Sequence, residues 1–110
     1  MADERAELLQ GTLELLILKT ISVEPMHGWG IANRIQQLSR DVFQVNQGSL
    51  YPALQRMKTK GWIRSEWRTT ENNRKAKYYK LTRAGQKQLA IETGQWKRVA
   101  TAIAFALEAT

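Results

Sequence analysis

Asn46 to Thr82 reads NQGSLYPALQRMKTKGWIRSEWRTTENNRKAKYYKLT, and this stretch decides the fold. It opens with capping residues, Asn46 and Ser49, ahead of an apolar stripe of Leu50, Leu54 and Met57 at helical spacing, with Ala53 beside it. Lys60-Gly61 breaks that helix, because glycine supplies the left-handed residue that a helix stop needs. Two runs rich in aromatic and β-branched residues follow, Trp62 to Arg68 and Lys77 to Leu81, separated by the polar, turn-prone segment from Thr69 to Lys75. A helix followed at once by a long hairpin is the layout of a winged helix-turn-helix. The expected class is therefore mainly α with a β-hairpin wing.

Charge marks the same stretch. Arg56 to Lys87 holds eleven Lys and Arg against two acids, Glu66 and Glu71, a net of +9, while the whole chain carries +7. One sign concentrated on one element is the electrostatic footprint of a polyanion partner. Pro52 belongs in the first turn of a helix, where its missing N–H has no partner to lose, so a start near Gly48 or Ser49 is expected. With the apolar stripe inward, the outer face presents Ser49, Pro52, Gln55, Arg56 and Thr59, with Tyr51 and Lys58 on the flank, and the expected DNA contacts are Gln47, Ser49, Tyr51, Pro52, Gln55 and Arg56. These are short polar groups and a glutamine for base edges, an arginine for guanine or phosphate, and a tyrosine for phosphate. The hairpin tip, taken as Asn72, Asn73, Arg74, Lys75 and Lys77, is suited to the phosphate backbone or the narrow minor groove. Trp62 and Trp67 read as hairpin packing.

Working outward, a first helix from about Ala6 to Ile21 places Leu9, Leu13, Leu16 and Ile17 on one face and Leu8 and Leu15 on a second. Glu7, Gln10 and Glu14 fall on a narrow polar strip. Pro25, Gly28 and Gly30 then turn the chain, and a second helix from about Gly28 to Ser39 buries Ile31, Ile35 and Leu38. After Thr82, a cap, the last helix runs from about Arg83 to Leu107. Leu89, Trp96 and Ile103 recur every seven residues, joined by Val99, Ala100 and Leu107, as a seam with little else in the chain to cover it. Gly94 weakens this helix by about 1 kcal/mol relative to alanine, so a short or bent contact is expected there. Leu8, Leu15, Leu89, Trp96, Val99, Ala100, Ile103 and Leu107 are the expected dimer contacts. The division is into a DNA-binding domain over 1–84 and a dimerisation helix over 85–110.

The remaining composition excludes whole classes. The 110 residues contain no cysteine and one histidine, His27, which lies in a turn and reads as structural. Neither a metal site, a cofactor site nor a catalytic constellation can be assembled from these residue types, so an enzyme is not expected. The longest apolar run is far too short to span a membrane, and no signal-peptide pattern opens the chain. The expectation is a soluble, cytoplasmic protein.

The order of Gln10-Gly11-Thr12-Leu13-Glu14-Leu15-Leu16-Ile17-Leu18, His27-Gly28-Trp29-Gly30-Ile31, Gln47 to Leu54, Lys60-Gly61-Trp62-Ile63, Lys77-Tyr78-Tyr79 and Leu81-Thr82-Arg83-Ala84-Gly85 resembles the PadR-like transcriptional regulators. That resemblance spans residues 10 to 85. It implies a homodimeric repressor that binds a palindromic operator in double-stranded DNA and is often released by a small aromatic ligand or another effector. The segment after Gln86 has room for one helix of roughly 36 Å, which places the chain with the short members of the family. In some of those, tryptophan on this helix stacks planar drugs, so Trp96 is a candidate effector contact by resemblance, while its place on the heptad seam needs no ligand to explain it. The alternative function is a non-specific winged-helix module that is architectural or binds RNA or protein.

Overall fold

The computed structural model describes residues 10–109. In chain order it comprises α1 (Gln10–Val23), β1 (Met26–His27), α2 (Gly28–Leu38), α3 (Gln47–Thr59), β2 (Ile63–Thr69), β3 (Lys75–Leu81) and α4 (Arg83–Glu108). The strands form one antiparallel sheet in the order β1-β3-β2. From Gln10 onward the helices and the hairpin follow the sequence expectation, and the expected start of the first helix near Ala6 lies outside the described residues. β1 was not anticipated. Two residues are too few to show an alternating pattern, and Met26 and His27 become a strand only because Tyr79 and Tyr78 lie alongside to pair with them.

α1 is the hub, packing against α2, α3, α4 and β3. Its Leu13, Ile17, Leu18 and Ile21 are buried together with Ile31 and Ile35 of α2, the α3 stripe of Leu50, Ala53, Leu54 and Met57, and Ile63 and Tyr79 of the sheet. Leu38, expected to extend the α2 stripe, is exposed. It sits at the end of its helix, where the chain turns away through Arg40 and Asp41, both at positive φ. Glu14, placed by helical periodicity on a polar strip, is buried as well. The wet side of α1 is the one that carries Gly11, Lys19 and Ser22, and Glu14 turns instead toward α3, where Arg56 meets it. Leu8 lies outside the described residues.

Three caps set the helix ends. The His27 imidazole accepts the Gly30 N–H through Nδ1 at 3.0 Å and starts α2. The Asn46 side chain accepts the Ser49 N–H at 2.9 Å and starts α3 at Gln47, earlier than expected, so Pro52 is the sixth helical residue and lies beyond the first turn. The carbonyl that Pro52 cannot bond is that of Gly48, which is exposed and keeps access to water. Asn46 thus outweighs the proline in choosing the start.

The stop of α3 is as expected. Gly61 has φ +78°, its N–H donates to the Lys58 carbonyl at 2.9 Å, and the Trp62 N–H donates to the Met57 carbonyl at 3.0 Å, the paired bonds of a Schellman motif. Thr82 then ties this stop to α4. Its Oγ1 accepts the Gly85 N–H at 3.1 Å and donates to the Gly61 carbonyl at 2.6 Å, while its own N–H donates to the Trp62 carbonyl at 3.0 Å. Gly85 passes so close that a Cβ there would lie 2.0 Å from the Trp62 oxygen, a separation only glycine permits. α4 runs unbroken through Gly94 to Glu108, close to the span of Arg83 to Leu107 that was expected.

Candidate nucleic-acid interface

α3 buries Leu50, Ala53, Leu54 and Met57, and the side left outside carries Gln47, Ser49, Pro52, Gln55 and Thr59, all exposed. Tyr51 is nearly half exposed on the flank. Its ring lies against the first turn of α2, where a Cβ on Gly28 would meet the phenol oxygen at 2.8 Å. The tyrosine braces the two helices while much of its side chain stays open to solvent.

Arg56 is placed differently from its neighbours. Its Nε donates to Oε1 of Glu14 at 3.3 Å, drawing the guanidinium toward α1 and away from the outer face.

In the wing, residues 70–74 make the turn. The Thr70 N–H donates to the Arg74 carbonyl at 2.7 Å, the Asn73 N–H donates back to Thr70, and Asn73 takes φ 58°, which asparagine tolerates. Asn72, Asn73 and Arg74 are at the exposed tip. Lys75 and Lys77 are not. They lie on β3, across from Thr69 and Trp67, because the ladder extends further out than the aromatic runs alone indicate.

The hairpin has two faces. Ile63 and Tyr79 share one with Trp67, Lys75 and Lys77, since residues two apart along a strand point the same way. At the base this face is core, but further out the domain ends beneath it. Trp67 is 66% exposed rather than packed, with the Lys77 ammonium 5.7 Å from its ring centroid. Between this overhanging face and the starts of α2 and α3 runs an open groove of about 650 Å³, bordered by Trp29, Tyr51, Trp67, Arg74, Lys75 and Lys77. Trp29, two-thirds exposed, was not singled out by the sequence reading; its one signal was a phase off the Ile31 and Ile35 stripe of α2.

The other face carries Arg64, Glu66, Arg68, Tyr78 and Lys80. The Arg68 Nε donates to Glu66 Oε1 at 2.9 Å, and its guanidinium carbon lies 5.3 Å from the Tyr78 ring centroid. The hydrogen bond and positive charge of Arg68 hold the Glu66 carboxyl below the usual carboxylate range, so this acid stays charged and offsets one cation locally. Burial, assisted by nearby Tyr51, pushes the Tyr79 phenol above its ordinary value.

At the opposite side of the domain, Leu15 and Ala100 are half-buried, and Leu89 packs at the core margin. Trp96, Val99 and Ile103 stand about half exposed along α4, and Leu107 more so. One carboxylate oxygen of Glu92, on the same seam, is buried without a hydrogen-bond partner among the described residues. Among those residues no group of side chains is arranged to hold a metal ion, and no helix is long and apolar enough to cross a membrane.

A sequence model of the transcriptional regulator PadR-like family matches residues 17–91. The fold is similar to that of a PadR-like transcriptional regulator from Bacillus cereus, with 30% identity, a TM-score of 0.82 and an alignment covering 96% of this chain and 100% of that one. It is also similar to a PadR family transcription regulator from hypervirulent Clostridium difficile R20291, at 28% identity and a TM-score of 0.75, over 86% of this chain and 97% of that one. An uncharacterized protein of Lysinibacillus sphaericus is 27% identical over 104 residues, 94% of this chain and 95% of its own.

Proposed function

The chain belongs to the PadR-like family of transcriptional regulators and is a DNA-binding regulator, and from that premise we propose that it acts as a cytoplasmic homodimeric repressor of an inverted-repeat operator. The observation that carries this reading is the position of the polar face of α3 beside a cationic hairpin, with the rest of α3 locked into the core. α3 enters a major groove, where Gln47, Ser49 and Gln55 meet base edges and Pro52 contacts the groove wall. Tyr51 and the wing residues Asn72, Asn73, Arg74, Lys75 and Lys77 hold the flanking phosphates.

A second copy joins along the exposed α4 seam, with Leu15 and Leu89 at its margin and Trp96, Val99, Ala100, Ile103 and Leu107 at its centre. Twofold symmetry then sets the two reading helices about 34 Å apart, one turn of duplex. A small aromatic effector stacking on Trp96 would release the operator only to the extent that it prefers a dimer with another helix spacing.

The test is selection of bound sequences from a random duplex pool, repeated across salt. An enriched inverted repeat with half-sites one turn apart is expected. If about eight phosphates are neutralised per dimer, the slope of log affinity against log salt is near −7. Steep salt dependence with equal affinity for every sequence would overturn the operator reading and leave an architectural or RNA-binding module.

A further inference from the structure

α1 carries one carboxylate into its packed interior, and among the described residues the two cations paired with it come from α3 and its C-terminal cap. Arg56 Nε donates to Glu14 Oε1 at 3.3 Å, and Lys60 Nζ lies 3.9 Å from Oε2. The Glu14 side chain is 6% exposed, while those of Arg56 and Lys60 are 35% and 45% exposed. Lys60 is held from another side too, with its ammonium 4.6 Å from the Trp62 ring centroid. Arg56 sits in the last turn of α3 and Lys60 is its C-terminal cap.

Taking a carboxylate out of water is costly, and its attraction to partners repays that cost only in a narrow range of geometries. Such a pair adds little net stability over an apolar side chain of similar volume. What it adds is direction. Leu50, Leu54 and Met57 hold α3 against the core by a driving force that is itself non-directional. A buried carboxylate fork, with a hydrogen bond to one cation and a second cation facing its other oxygen, favours one rotation over its neighbours. The start of α3 is held by Tyr51 against Gly28 of α2 and by the local Asn46 cap, with no ion pair to another element there among the described residues. α1 also packs against α4, the helix with the exposed apolar seam, so the fork joins the frame of the dimer to the helix that reads DNA.

We propose that Glu14 is a positioning residue that sets the rotation of α3 on α1, with Arg56 and Lys60 as its anchors on α3 instead of contacts to bases or phosphates. This rests on the reading of α3 as the DNA-entering helix. It removes Arg56 from the readout set and makes the separation of the two reading helices depend on a side chain that never touches the operator.

The test compares Glu14→Leu and Arg56→Gln with the unaltered full-length chain. Glu14→Leu is expected to keep the thermal midpoint while α3 amides exchange about tenfold faster relative to those of α1. Operator affinity falls about tenfold, as for a coupled pair, with the base preferred at each position unchanged. The discrimination against an operator with one base pair inserted between its half-sites shrinks, a change that loss of stability alone does not produce. Arg56→Gln gives the same loss of α3 protection and of affinity with the salt slope intact, at a lower thermal midpoint because Glu14 is left facing Lys60 alone, and the double variant binds no worse than either single one. If Glu14→Leu does not fold, Glu14→Gln carries the comparison, since it keeps an acceptor for Arg56 and removes the charge facing Lys60.

Unchanged α3 exchange in the Glu14 variant overturns the proposal. So does an Arg56→Gln chain that changes preference at one base position or flattens the salt slope by about one. If the unaltered chain selects no sequence, the operator reading falls by itself, and the exchange measurement, which needs no DNA, still decides for or against the fork.

Discussion

α1 and α4 are both helices with more apolar residues than one face can hold, and they meet opposite fates. Leu13, Ile17, Leu18 and Ile21 of α1 are buried, whereas Trp96, Val99, Ile103 and Leu107 of α4 remain half exposed or more. The difference lies in the neighbours. α1 is enclosed by three helices and a strand, while α4 packs on α1 and β3 and then continues past the domain for much of its 26 residues, about 39 Å at 1.5 Å each. Apolar residues on a helix therefore report a need for cover, and the tertiary arrangement determines whether the same chain supplies it. The hairpin repeats the lesson within one strand: Ile63 at its base is buried, and Trp67, in phase with it, stands over solvent.

The contrast can be broken most severely at Ile17, which is fully buried. Ile17→Ala should cost about 2–5 kcal/mol in denaturant unfolding, through lost burial plus the cavity left behind. A cost below about 1 kcal/mol would mean that α1 is not the hub, since a tightly surrounded site cannot collapse without loss.

Thr82→Ala comes next. It removes the α4 cap and the hydroxyl donated to Gly61, and should cost about 1–2 kcal/mol in the same measurement. If the loss is negligible, α4 is held by its packing and the cap is incidental.

Ile103→Asp sharpens the comparison from the other side. At protein concentrations low enough for monomers, the unfolding free energy should move by no more than about 0.5 kcal/mol, as at other surface sites. At higher concentration, sedimentation equilibrium should show a dimer for the unaltered chain and a monomer for the variant, and the concentration dependence of the unaltered chain's midpoint should vanish. A variant that remains dimeric would move the interface off this seam.

The smallest effect is confined to alkaline pH. Burial raises the Tyr79 pKa in the folded chain above its unfolded value near 10, so the unfolded state loses its proton first. The contribution is complete below that unfolded value and is lost as pH rises through the folded one. Tyr79→Phe should therefore change little at neutral pH and flatten the stability loss above pH 10. Identical alkaline profiles would mean that Tyr79 is not the group responsible.

Much of this was legible in residue order. The Gly61 stop, the Thr82 cap, the inward stripe of α3 and the hairpin were readable because each depends on local chemistry: a φ only glycine favours, a hydroxyl beside free N–H groups, a period of 3.6 or of two. The face of α3 opposite its stripe followed by geometry, so Ser49, Pro52, Gln55 and Thr59 are exposed where periodicity put them. Lys75 was misplaced at the tip because residue types do not state how far a ladder extends, and Lys77, read both as the start of the returning strand and as part of the tip, lies on the strand. Trp67 was misjudged because strand phase tells which way a side chain points and not whether the domain still lies beneath it.

By itself, then, the sequence determined the element types, their caps, the concentration of positive charge on one segment and the family to which the chain belongs, since these are properties of neighbours in sequence and of order along it. Only the tertiary structure decided that Met26 and His27 complete a sheet, that Glu14 is buried and grips Arg56, and that aromatic residues from α2, α3 and the wing border one groove. Those facts join residues that are tens of positions apart, and side-chain pairing at such range is set by where packed elements finally rest.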